Sequence, residues 1–249
     1  MFFIFKKEVV SFFSSLTGYI AVGVFLLLCS WFLWLSPNDL NVLSAGYANI
    51  DGLFFIAPWL FLFLSPAITM RSFAEERKAG TMEMLLTHPL TEAQLITGKF
   101  LAAVTVVAIS LLPALLYFYT VSNLGNPVGN IDSGATWGAL IGLLLLAACY
   151  AAVGIFASLL TDSQLVAFLL AAAMCFFLYL GFDGLAALPY VKNINSAVAN
   201  LGLSQHYKSI SRGVVDARDM AYFAGVIVLF LSAARLKLRA RAWGRRIRN

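Results

Sequence analysis

Charge is scarce in this sequence. Asp, Glu, Lys and Arg make up 12% of its 249 residues, about half the fraction usual in a soluble domain. So few charges cannot cover a water-exposed surface of ordinary size. Hydrophobic residues reach 61%, and the mean hydropathy is +0.86. The expectation is an all-α integral membrane protein, a single domain over 1–249, with no room for a soluble domain. Cysteine is scarce too. Cys29, Cys149 and Cys175 all lie inside apolar runs, which reads as packing and not as a disulfide framework. Neither His88 nor His206 has a ligand partner at helical spacing, so no metal site is expected. A phosphate-binding G-x-x-x-x-G-K-[ST] segment is also missing, because Gly98-Lys99 is followed by Phe100. ATP-driven work would therefore take its energy from another chain.

What is present in quantity is apolar length. Crossing a hydrocarbon core takes about 20 helical residues. Six segments reach or approach that length, near 17–36, 52–70, 99–122, 136–160, 164–182 and 219–237. The last depends on Arg235 and Lys237 extending to the headgroups. Lys99 marks the entry to the third, and the first five otherwise carry no ionisable residue as drawn. That pattern disfavours an ion-coupled transporter, which usually buries charge along its ion path. Sodium coupling through backbone carbonyls stays open. An intramembrane serine protease is disfavoured as well, since both histidines lie outside the spans.

The start, MFFIFKKEVVSFFSSLTGY, places apolar residues before its charges and has no small-residue cleavage site. It is read as no cleaved signal. Phe5 and Phe12 share one side of a helical wheel, with Lys6 and Lys7 mostly elsewhere, which predicts an interfacial helix over 2–15. The alternative is a first span that begins earlier. With the N-terminus inside, the cytoplasmic pieces hold 13 Lys and Arg against 4 outside, so both termini are expected in the cytoplasm. The basic tail reads as an anchor on anionic lipid. The three-residue piece 161–163 predicts a tight hairpin, with Asp162 or Ser163 as its cap. The external segment 183–218 is too polar to span and predicts short re-entrant helices.

Segment 71–98 interrupts the apolar pattern. RSFAEERKAG carries Arg71, Glu75, Glu76, Arg77 and Lys78, which predicts a helix leaving the membrane that Gly80 ends or bends. TMEMLLTHPL is amphipathic. Met82, Leu85 and Leu86 can face one way and Glu83 another, with Pro89 closing it. Thr91 and Gln94 are spaced as a capping box for the next helix. One reading is a solvated loop. The other is a helix across the membrane face that docks a partner, favoured by apolar side chains with nothing obvious to cover them. In the second span Phe55, Trp59 and Phe63 are candidate lining for a pathway, and ordinary packing or an interfacial aromatic belt is the preferred alternative.

The run Met70-Arg71-Ser72-Phe73-Ala74-Glu75-Glu76-Arg77, then Gly80-Thr81-Met82-Glu83-Met84-Leu85-Leu86, Pro89 and Gly98-Lys99, resembles the first cytoplasmic loop of ABC-2-type transporter permeases. FKKEVVSFFSSLTGYI, GIFASLLTDSQLVAF and HYKSISRGVVDARDMAYF resemble the gliding-motility-associated permease subunit, so the likeness covers nearly the whole chain. The resemblance implies six transmembrane helices of type V exporter-like architecture in a bacterial inner membrane. It implies two cytoplasmic ABC ATPase subunits and a second permease, identical or not. It implies no cofactor, no catalytic residue and no nucleic acid, with membrane lipid as surroundings. The family's coupling helix maps onto about Gly80–Pro89, including Thr81, Glu83, Leu85 and Leu86. Glu75, Glu76 and Arg77 map onto the helix end that transmits motion, and the Phe5–Ser15 helix onto a second ATPase contact. A scaffold that uses an ATPase without transport remains the alternative.

Overall fold

The computed structural model describes residues 1–44, 46–82, 91–189 and 195–246, with side chains through residue 240. Among the described residues all regular structure is helical. Helix α1 is Phe2–Phe13, and α2, Leu16–Ser30, runs on as a π-helical turn over Trp31–Leu35. Then come α3 (Asp51–Thr69), α4 (Arg71–Lys78), α5 (Glu92–Leu111), α6 (Ala114–Leu124) and α7 (Ser133–Ser158). Helix α8, Gln164–Phe176, also ends in a π-helical turn, over Phe177–Gly181. The short helices α9 (Phe182–Ala186), α10 (Asn195–Ala199) and α11 (Leu203–Ile210) precede α12, Ala217–Arg246.

Among the described residues six stretches are long and apolar enough to cross a membrane: Leu16–Leu35, Asp51–Lys78, Glu92–Leu124, Ser133–Ser158, Gln164–Ala186 and Ala217–Ala240. They overlap the six segments read from hydropathy, and the ends differ. The third stretch starts at Glu92 because Thr91 and Gln94 do form the capping box: Thr91 Oγ1 accepts from the Gln94 amide, and Gln94 Oε1 from the Thr91 amide at 3.1 Å. It is interrupted at Pro113, which has no amide to donate and separates α5 from α6. The fifth runs past 182 and takes in Asp183, so the expectation of uncharged spans fails there. Helix α1 is separate from α2 and not an early start of the first span. Ser15 adopts extended backbone and its hydroxyl caps α2 by accepting from the Gly18 amide. Ser163 starts α8 without any side-chain cap bond.

The central helix is α7. Its apolar window is 78% buried, against 22% for the first, fifth and sixth stretches, which leave most of their side chains outward. It is rich in Gly and Ala, so backbones approach closely. At Gly154 an added Cβ would collide with the Thr69 side chain of α3. Cys29, Cys149 and Cys175 are all fully buried in the main core. Helix α3 carries Pro58 and Pro66 internally. Pro58 cannot donate to the Phe54 carbonyl four residues back. The Tyr207 hydroxyl of α11 donates there instead, at 2.7 Å. Burial pushes the Tyr207 phenol well above its ordinary value, so it keeps the proton it donates.

Candidate functional site

The site is built where α4 leaves the bundle. Met70 stays right-handed helical, so α4 continues α3 almost without a break. It then stops at Gly80, whose φ of +70° suits glycine. The Gly80 amide donates to Arg77 O and the Thr81 amide to Glu76 O, the paired bonds of a Schellman end. Phe73 and Ala74 face inward and are fully buried, while Glu75, Lys78 and Gly80 face outward. Phe73 belongs to a second, small apolar cluster with Ile4, Leu95, Ile155 and Leu238. That cluster joins α1, α4, α5, α7 and α12 at one end of the bundle.

Lys99 is the charged centre of this end. Its side chain is 1% exposed. The ammonium donates to Glu8 Oε1 of α1 at 2.7 Å, to Glu76 Oε1 of α4 at 2.9 Å and to the Ser72 carbonyl at 2.5 Å. All three N–H donors are thereby used, and the Phe73 ring lies 4.8 Å away. Lys7 approaches Glu76 at 3.8 Å and partly offsets the second carboxylate. Arg77 binds the α7–α8 connection twice, pairing with Asp162 and donating to the Leu159 carbonyl at 3.0 Å. Arg239 of α12 closes the ring on Glu92 at 2.7 Å. Short side-chain bonds thus lock α1, α4, α5, α12 and the α7–α8 turn together.

Of the residues singled out from sequence, Glu76, Arg77, Lys7 and Phe12 meet at or near this cluster. Glu75 and Thr81 sit on its outer rim and line a cavity of about 570 Å³ between α1, α2 and the α3–α4 junction. Lys6 points outward, and Phe5 stacks on Phe2 at 6.2 Å. Met82 corrects an expectation: it packs into the small cluster with Phe73, only 7% exposed, and does not face outward. Glu83, Leu85, Leu86 and Pro89 lie outside the described residues. Lys99 itself was read only as a bilayer marker. The available signal was that an ammonium inside a membrane helix needs an acid, and Glu8 and Glu76 were candidates.

At the opposite end of the bundle lies a cavity of about 830 Å³, with Phe55 and Trp59 on its wall. Phe63 is not part of it and is 61% exposed on the bundle surface. The three aromatic residues read together from the sequence therefore do not form one surface of the cavity.

The family of ABC-2 family transporter proteins matches over residues 13–234. The chain belongs to that family. No curated protein matches it. An ABC-2 chain is the membrane permease component of an ABC transporter, a multi-pass membrane protein. ATP hydrolysis in such transporters belongs to separate ABC ATPase partners. The locked end, with α4 leading into segment 83–90, sits in the part of the chain where the sequence resembles that family's cytoplasmic loop.

Proposed function

We propose that this chain is the inner-membrane permease subunit of an ATP-driven exporter. In this reading it works with two cytoplasmic ATPase subunits and a second permease, and its resemblance to the gliding-associated permease group links the transported substrate to gliding or cell-surface assembly. Both termini and segment 71–98 face the cytoplasm. The observation that carries the reading is Lys99, which fastens α1, α4 and α5 into one unit. With α4 and α5 fastened in this way, the second and third spans move together when their cytoplasmic ends are pushed. Closure of the ATPase pair would supply that push, provided its open and closed forms contact the segment differently. In this reading, which follows the family resemblance, Glu83, Leu85 and Leu86 are the residues through which the ATPase acts.

The test is affinity purification from native membranes in mild detergent, for the wild type and Glu83→Lys. A phosphate-loop ATPase should co-purify with the wild type and be reduced or uncoupled in the variant. If no ATPase accompanies the chain while other membrane complexes stay intact, the proposal fails. A second permease chain in the same sample would distinguish a heterodimer from a homodimer.

A further inference from the structure

The cavity remote from both termini has two chemically distinct parts. Its floor is apolar and aromatic, formed by Phe54, Phe55, Trp59, Tyr179 and Leu180. Tyr179 meets Trp59 edge-on at 5.8 Å and so fixes one wall. Its rim is ionic, with Asp39, Asp51 and Asp132 of one sign and Lys208 and Arg212 of the other. Most rim charges already have structural work. Asp51 accepts from Asn49, Asp132 caps α7 at the Ala135 amide, and Lys208 reaches Asp183 at 3.7 Å. Asp39 and Arg212 differ: among the described residues neither side chain forms a hydrogen bond or ion pair, and they do not pair with each other.

The volume of about 830 Å³ lies within the range of ligand pockets. On this floor Phe55 is exposed and Trp59 and Leu180 are half-buried, which leaves apolar area that an apolar chain can cover. A purely anionic head would meet three carboxylates, and a purely cationic head two bases. A head of both signs can place its cation at the Asp39 carboxylate and its anion at the Arg212 guanidinium. We propose that this cavity binds a zwitterionic amphiphile, with one apolar chain on the floor and a head that carries an ammonium and a phosphate at the rim. The site is a property of the isolated chain and goes beyond the coupling proposed above.

The experiment is native mass spectrometry of the full chain released from neutral detergent. Three amphiphiles of equal chain length are offered at the same mole fraction: lysophosphatidylethanolamine, lysophosphatidylglycerol and an alkyl glucoside. One zwitterionic molecule should be retained at a concentration at least about tenfold below the other two, the scale of one charge-assisted hydrogen bond. Asp39→Asn and Arg212→Gln should each weaken that retention about tenfold. Both positions are exposed and unpaired, so both variants should fold. A diacyl phosphatidylethanolamine arm separates the sources: retention assigns a bilayer lipid, and retention of the single-chain form alone assigns a free solute. Equal retention of all three heads, or retention unchanged by both substitutions, would overturn the proposal. Co-purification of an ATPase is read on the same preparations, so loss of the permease reading would be visible independently of this result.

Discussion

The Tyr207 hydroxyl donates to the Phe54 carbonyl at 2.7 Å, taking the acceptor that Pro58 leaves without a helical partner. Tyr207→Phe keeps the ring and removes the donor, stranding a buried carbonyl. The expected loss of stability is about 1–3 kcal/mol. Thermal unfolding in detergent, monitored by circular dichroism, reads it. An unchanged midpoint would show that the carbonyl finds another donor.

Lys99→Met should be the most damaging single change at the locked end. It leaves Glu8 and Glu76 facing each other without their shared cation. Breaking a buried pair from one side costs about 3–5 kcal/mol. Adding Glu8→Gln and Glu76→Gln to Lys99→Met should recover much of the loss, because neutral amides need no counter-ion. If the triple variant is as unstable as the single one, packing of the Lys99 stem and not charge dominates.

The contact of α3 with α7 predicts a steric effect. Gly154→Ala drives a methyl into Thr69, whose hydroxyl is held on the Ser65 carbonyl at 2.8 Å. Overpacking of this kind costs about 1–3 kcal/mol. Thr69→Ala in the same chain should restore part of the midpoint, since it removes the colliding hydroxyl and leaves the Thr69 Cβ at 2.9 Å from the added methyl.

His206 fastens α11, and through the Asn200 carbonyl the end of α10, to α12. Its Nδ1 lies 2.6 Å from Asp219 Oδ1, its Nε2 lies 2.9 Å from the Asn200 carbonyl, and its ring stacks on Tyr222 at 3.8 Å. His206→Ala should speed amide exchange across 195–210 while the amides of α7 stay protected. Equal protection in both segments would mean that Tyr207 and the apolar contacts of α11 hold this segment alone.

Much of the architecture was legible because its causes are local. Apolar runs near 20 residues announce spans whatever surrounds them. Gly80 and the Thr91–Gln94 box act within one helical turn, and both appear as read. What was not legible depends on residues distant in the chain. Lys99 finds Glu8 across 91 positions and Glu76 across 23. Met82 looked exposed because nothing nearby in sequence covers it, yet Ile4 and Leu238 share its cluster. Phe55, Trp59 and Phe63 fall at four-residue steps on one helix. Residues from four other segments close the cavity over the first two and leave the third outside. The π-helical turns at Trp31 and Phe177 have no plain sequence signature.

The burial of Cys29, Cys149 and Cys175 has a practical side. Inside the folded bundle none of these thiols presents a surface to a maleimide or a nitroxide reagent. A cysteine introduced at an exposed position, such as Lys78 on the outer side of α4 or Val214 beyond α11, becomes the one thiol that reacts. Two such labels, one at each end of the bundle, turn the native chain into a distance ruler for spectroscopy, with its own cysteines left in place.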